Sequence, residues 1–500
     1  MSVRPSTASP WRHLFIAAVA AVALVACRSL DHRPSTAVPA KSFAPILEPV
    51  PPGQNLMLII IDTMRVDRMS AYGYHLPTTP AVARIAGESI MFDRFYAAAP
   101  WTAPSFGTLL TGVSPRIHHT GKWLKNASKG VVRVGAVTMF PLNPQLQTLA
   151  GLLESHESAV FSSNPFLDPA LGFARGVDYY DQTFTHRPAN EITDAAISWL
   201  KENRDRDFFA MVHYMDAHTP YGPPKSTLRL FQKKKCDRVR SPFGPSAYEA
   251  HFFKPSAEEI ECVTALYNAE VRFVDDQIDR LVNAMERLHI LDNTWLVITA
   301  DHGEEHWDHG DFNHGFQYED EVTRVPLIIR APGGQWGKGR RVPWSVPMQD
   351  LLPTFLEWFS IPPPDYLEGD SIMPLLRGEE SADRPCYMEF QLFRRQRHAW
   401  FDGRYKFIKP ETGRGAYMYD LATDPKEQKK IWGRHPEFQR LEQNLNAYRE
   451  SRRSLIDMLN RQRKEHLPTE SDTADDNSPP RGAALPAEAI QSLKALGYME

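Results

Sequence analysis

The 500-residue chain is long enough to bury a large core, as one domain with a smaller companion or as two domains. Its 57 Lys and Arg against 61 Asp and Glu leave a formal net charge of −4, and no basic run is long enough for a nucleic-acid footprint, so no nucleic-acid partner is expected. Four cysteines are too few for a disulfide framework, which leaves a hydrophobic core to carry the fold.

Residues 1–27 read as an export signal. Arg4, Arg12 and His13 precede an apolar run from Leu14 to Ala26, short for a membrane span, which ends in Leu24-Val25-Ala26-Cys27. That tetrapeptide resembles a bacterial lipobox. The resemblance implies a lipoprotein signal peptide cleaved before Cys27, lipidation of that cysteine, and a protein tethered to the bacterial cell envelope on its periplasmic or extracellular face. An uncleaved short signal anchor is the other reading. Residues 28–54, with Pro34, Pro39, Pro45, Pro49, Pro51 and Pro52, read as an extended tether.

Leu56 to Ile61 is a continuous apolar run ending at Asp62, the pattern of a strand buried on both faces of a parallel sheet. Trp295 to Thr299, before Asp301-His302-Gly303, and Val325 to Ile329, after Arg324, repeat it. Helical periodicity covers Thr148 to Glu154, Glu191 to Glu202 and Glu258 to about Leu288. Strands alternating with helices predict an α/β fold with a mostly parallel central sheet flanked by helices, over residues 55–383. Ligands of such sheets bind at the carboxyl ends of the strands, where Asp62 and Asp301 both fall.

From Arg384 the pattern changes to short segments, Tyr387 to Phe390, His398 to Phe401 and Tyr405 to Ile408, followed by a helical stretch from Pro436 to about Asn460. This predicts a C-terminal antiparallel sheet-plus-helix subdomain over 384–465. Residues 466–500 read as a flexible tail, with a short helix from Ala487 to Leu496. Cys236 and Cys262 are placed to pair across an insertion, a question that spacing leaves open.

Asp62, Asp301 and His302 are the metal candidates. Carboxylate oxygens suit hard divalent cations and an imidazole shifts preference toward zinc or manganese, although an Asp after a strand is also an ordinary cap or turn residue. His302, His306, His309 and His314 crowd one segment, but Gly303 breaks a His-Glu-x-x-His pattern, and His306 and His309 also read as polar loop residues. In FFAMVHYMDAHTPY, prolines stiffen the loop after His218, which suits protonation of a leaving oxygen; His213 reads as a hydrogen-bonded structural histidine. In AAPWTAPSFGTLLTG, Thr102 stands at a helix start, with Pro104 suited to the first turn; it is either a nucleophile or a helix cap, a role Ser105 would also fill.

Together IIIDTMRVDRMSAYGY, WTAPSFGTLLTG, DAHTPY, ADHGEEHWDHG, RVPLIIRAPG and MYDLATDPKEQ resemble, in order, the successive motifs of the sulfatases within the alkaline phosphatase superfamily, from about residue 55 to 460. The resemblance implies an alkaline phosphatase-like catalytic domain and one divalent metal ion, Ca, Mn or Zn, on Asp62, Thr102, Asp301 and His302. Thr102 falls where the family places its nucleophile. Sulfatases have there a cysteine that becomes formylglycine; threonine cannot, and Phe106 replaces the arginine that follows it. Thr63 stands in place of a second metal-binding aspartate, His314 in place of a sulfate-gripping lysine, and Asn164 is a weak substitute for a missing Gly-Lys-Trp-His segment.

The remaining set is similar to one metal site of the threonine-using phosphodiesterases and phosphonate hydrolases. It implies a hydrolase of a sulfate, phosphate or phosphonate ester carried by a small molecule, glycan or lipid. His218 would protonate the leaving group while His218, His314 and Asn164 contact the substrate. Two alternatives stay open: a phosphoethanolamine-type transferase, whose relatives usually carry several membrane helices, and a degenerate glycan-binding member.

Overall fold

The computed structural model describes residues 43–121, 132–134, 137–183, 187–244, 253–392, 396–465 and residue 491. The signal peptide with Cys27, the tether up to residue 42 and, apart from residue 491, the tail 466–500 lie outside these. Residues 43–54, read as tether, rest on the domain that follows: the Ile46 amide donates to Leu376 O at 2.8 Å, and the Trp336 indole donates to Glu48 O at 3.0 Å.

Eight strands form the central sheet: β1 (Asn55–Ile61), β2 (Ile90–Tyr96), β3 (Glu157–Ser162), β4 (Tyr179–Gln182), β5 (Phe208–Tyr214), β6 (Thr294–Thr299), β7 (Arg324–Arg330) and β8 (Arg341–Pro347), in spatial order β8-β2-β7-β6-β1-β5-β3-β4. Every pairing is parallel except the two made by β7. The apolar run in β7 was expected to be a parallel strand like the other two. Burial on both faces makes such a run look alike in either direction, so composition carries no sense of polarity.

β1 and β6 are buried along their whole length. Helices that flank the sheet include α1 (Thr102–Thr111), α2 (Ala189–Asn203) and the 31-residue α3 (Ala257–Arg287). α3 begins with a capping box in which Ser256 and Glu259 each satisfy the other's backbone N–H, and it buries one apolar stripe from Val263 to Met285. The helix expected over Thr148 to Glu154 is one turn, Leu149–Leu152, capped by Thr148. Cys236 and Cys262 form a disulfide that ties the insertion to α3, and Cys386 is a buried free thiol.

The C-terminal region is a separate antiparallel sheet of β9 (Cys386–Glu389), β10 (Arg397–Phe401), β11 (Tyr405–Pro410), β12 (Tyr417–Asp420) and β13 (Ile431–Trp432). α4 (Glu437–Ser451) lays Leu441 and Leu445 against Trp400 and Phe407 of this sheet. The helical stretch expected to run unbroken to Asn460 divides at Arg452 into α4 and α5 (Arg453–Glu465). The sheet is fastened to the segments that carry the candidate site. The Glu389 amide donates to Ala98 O at 3.0 Å, the Trp101 indole to Phe390 O at 2.6 Å, and the Leu392 amide to Gly315 O at 3.0 Å.

Candidate active site

Strand register gathers the site. Ile60 of β1 pairs with His213 of β5 on one side and Thr299 of β6 on the other, so the carboxyl ends of three neighbouring strands are level. Asp62, His213 and Asp301 therefore meet at one edge of the sheet. Thr63 then turns the chain with φ +54°, a region that β-branched residues rarely enter, and its hydroxyl donates to Ala217 O at 2.7 Å and lies 2.8 Å from Asp62 O. The Thr63 hydroxyl is thus committed to main chain. After Asp301, Gly303 passes so close to Glu321 that an added Cβ would lie 2.0 Å from its carbonyl oxygen, which explains the glycine and clamps this segment.

Trp101 is extended and Thr102 opens α1 as its first helical residue. Its hydroxyl does not cap the helix. Oγ1 lies 3.3 Å from His302 Nε2 and accepts from Asn164 Nδ2 at 3.4 Å, while the same Asn164 nitrogen donates to Asp62 Oδ2 at 2.8 Å. Asn164 is held in turn, because its Oδ1 accepts from the Phe166 amide at 2.8 Å. The four expected metal-site residues, Asp62, Thr102, Asp301 and His302, and Asn164 are brought together, all buried.

His213 joins them, although its sequence suggested only a structural histidine. Its Nε2 is 3.4 Å from Asp62 Oδ2, and the ligand atoms of Asp62, His213 and Asp301 lie within 4.8 Å of one another. Asp62 Oδ1, Asp301 Oδ2 and His213 Nε2 are buried and make no hydrogen bond. An unpaired buried polar atom costs about 1–3 kcal/mol, so three converging on one point are a cradle for positive charge. Oxygen donors with imidazole suit a divalent ion, and the group is able to hold one. His302 fits the same purpose. Its Nδ1–H donates to Gly303 O at 2.9 Å, leaving the Nε2 lone pair 3.3 Å from Asp301 Oδ2 and 3.6 Å from Asp62 Oδ1.

The electrostatics agree. Burial raises the Asp62 carboxyl, but the imidazoles of His213, His218 and His302 outweigh it and hold Asp62 below the usual range. Burial, and then the charge of Asp62, push Asp301 well above it. Two acids forced apart in a dry pocket are short of a cation.

Across from the carboxylates runs a row of imidazoles. The rings of His302 and His314 are 4.3 Å apart and those of His314 and His218 are 5.0 Å apart. His218 donates Nδ1–H to Thr219 O, which fixes the ring's orientation. Burial lowers His218 to about 4 and pushes His302 and His314 below the ordinary histidine range. Phe106 is buried with its ring edge-on to His213 at 5.1 Å. His306, one of the two read as polar loop residues, is instead buried and bonded through Nε2 to the Tyr221 hydroxyl at 2.9 Å.

A family model described as Sulfatase matches residues 54–361, more than half of the sequence. The chain belongs to the sulfatase family. A second model, N-sulphoglucosamine sulphohydrolase, C-terminal, matches residues 307–454 of the chain. It is 25% identical to the N-acetylglucosamine-6-O-sulfatase of Bacteroides thetaiotaomicron, over 84% of this chain and 88% of that one. It is 24% identical to an arylsulfatase of Clostridium perfringens, over 75% of this chain and 89% of that one. Among solved structures, the phosphonate monoester hydrolase of Agrobacterium radiobacter superposes with a TM-score of 0.62 at 21% identity, over 81% of this chain and 96% of that one, a likeness of fold. This sulfatase-family protein is an ester-cleaving hydrolase, with the mixed, mostly parallel sheet of its relatives.

Proposed function

We propose that this enzyme cleaves a sulfate, phosphate or phosphonate ester with Thr102 Oγ1 as nucleophile and without formylglycine. The observation that carries the reading is the position of that hydroxyl. It sits at a helix N-terminus, 3.3 Å from His302 Nε2, beside three buried ligand atoms that have no hydrogen bond. Asp62, Asp301, His302 and Thr102, with His213 beside them, would hold one divalent ion, Ca, Mn or Zn. When bound, it lowers the pKa of a hydroxyl and neutralises the charge that develops on the ester oxygens.

The chain's own groups account for the rest. Asn164 holds Asp62 and Thr102 in one geometry through a single amide nitrogen. The unpaired N–H groups and positive dipole end of α1 favour an anionic ester at Thr102. Thr102 Oγ1, its hydroxyl proton released to solvent beforehand, bonds to the central sulfur or phosphorus as the bond from that atom to the alcohol oxygen breaks, and the leaving oxygen takes a proton from protonated His218 at Nε2. The same nitrogen then takes a proton from the water that clears the threonine ester. An anionic substrate beside His218 raises its affinity for that proton, against the lowering that burial imposes. His314 supports the anionic oxygens.

The relatives' names point to sulfated sugars and phosphonate monoesters as substrate classes. Lipidation at Cys27 would place the enzyme on the outer side of a bacterial membrane, and the Cys236–Cys262 disulfide suits such an oxidising compartment.

Metal analysis of the purified protein, with turnover of aryl sulfate, aryl phosphate, aryl phosphodiester and aryl phosphonate, tests the proposal. One bound divalent ion and hydrolysis of at least one ester, both independent of any added acceptor alcohol, are expected. Metal-free protein inert on all four, or hydrolysis unchanged in Thr102→Val, would overturn it.

A further inference from the structure

Behind His314 lies a chain of buried groups that the catalytic reading does not use. His314 Nδ1 is 2.9 Å from Glu304 Oε1, the Tyr221 hydroxyl donates to Glu304 Oε2 at 3.2 Å, and His306 Nε2 is 2.9 Å from the Tyr221 oxygen. The carboxylate accepts only, and the Tyr221 hydrogen goes to Glu304. Burial raises Glu304 to about 7, and in its ionised form the chain donates in one direction: His306 Nε2–H to Tyr221, Tyr221 O–H to Glu304, and His314 Nδ1–H to Glu304. All four side chains are buried, and Glu304 is anchored at its main chain too, where Arg65 Nη1 donates to its carbonyl at 3.2 Å. Arg65 is held by Asp67 and Asp308, so the anchor is itself fixed.

We propose that Glu304, backed by Tyr221 and His306, is the positioning residue for His314, fixing its ring at the anionic end of the ester. A lysine ammonium swings on four bonds and carries its own charge. An imidazole must be aimed, and a buried carboxylate on its far nitrogen aims it. The Glu304–His314 pair thus stands as a unit where sulfatases place a lysine. This rests on the substrate-contacting role assigned to His314, and the experiment separates the two.

The test is a double-mutant cycle of Glu304→Ala and His314→Ala, with Glu304→Gln and Tyr221→Phe as milder changes. It is read by kcat and KM on an aryl phosphonate and by binding of orthovanadate. Glu304→Ala should lower kcat about 10–100-fold in the parent, the range for removing the partner that orients a site histidine, and less than about threefold when His314 is already alanine. Glu304→Gln, which keeps an acceptor for Nδ1–H, should recover most of the loss. Tyr221→Phe should give a smaller loss that also vanishes in the His314→Ala background, and vanadate affinity should follow the same non-additive pattern. Losses of Glu304→Ala and Tyr221→Phe that are undiminished without His314 would overturn the proposal, making the chain a stability element. His314→Ala with parental kcat and vanadate affinity would instead overturn the role of His314 itself.

Discussion

Two of the regions in which this molecule buries charge do so in opposite ways. At the seam between the catalytic domain and the C-terminal sheet, acids meet bases. Glu389 accepts from Arg116 Nε at 3.0 Å and from the Arg116 amide at 2.6 Å, Lys406 Nζ lies 2.6 Å from Asp320, and Arg384 lies 2.7 Å from Asp350. In the crevice, Asp62, Asp301 and His213 converge with one unbonded atom each. Buried charge with a partner holds segments in place; buried charge without one waits for something that is not protein. The seam also shapes the crevice, because β9 and its following turn bond the Ala98 carbonyl and the Trp101 indole, just before the proposed nucleophile.

The contrast breaks first at Thr102. Thr102→Ala should lower kcat by about 10³-fold or more while the melting temperature stays near the parent's, since the hydroxyl serves the crevice and not the helix cap; steady-state kinetics with calorimetry check both. Next comes the seam. Glu389→Gln should cost about 3 kcal/mol in urea denaturation, because it leaves the Arg116 charge without its carboxylate.

Asp301→Asn should do the reverse in chelated protein: abolish metal binding, yet leave stability unchanged or up by about 1 kcal/mol. Asn keeps the acceptor for the His302 amide while removing a carboxylate that burial and Asp62 disfavour.

The smallest effect is a pH dependence. Burial raises Glu389, but Arg116 and the bonds from His398 and Tyr387 bring it down to about 2. Its folded pKa is therefore below the unfolded value of about 4.3, so its stabilisation is whole above that pH and is lost as pH falls toward 2. Denaturation midpoints from pH 5 to pH 2.5 should fall for the parent and fall less steeply for Glu389→Gln.

The sequence made some of this legible and hid the rest for physical reasons. Apolar runs ending in Asp62 and Asp301 pointed to strand ends in one crevice, because ligands of a mostly parallel sheet bind at the carboxyl ends of its strands. Thr102 was legible as a helix start but not as nucleophile or cap, since both occupy the same position; the direction of its hydroxyl excludes the cap. His213 was hidden because it lies inside the apolar strand FFAMVHY, where a histidine looks like core. Only the register of β5 against β1 puts it level with Asp62. Glu304 was hidden among charged neighbours in DHGEEHWDHGD, where composition suggests a solvated loop, while the clamp at Gly303 carries it inward. The reversed direction of β7 left no trace in its composition.

The most direct measurement is a rapid-quench experiment on a slow aryl ester, with peptide mass mapping of the enzyme during turnover. A sulfuryl or phosphoryl adduct should appear on the peptide that contains Thr102, decay at the rate of turnover, and be absent from Thr102→Val. Turnover with the adduct on another residue, or with none while Thr102→Val keeps parental kcat, would contradict the account.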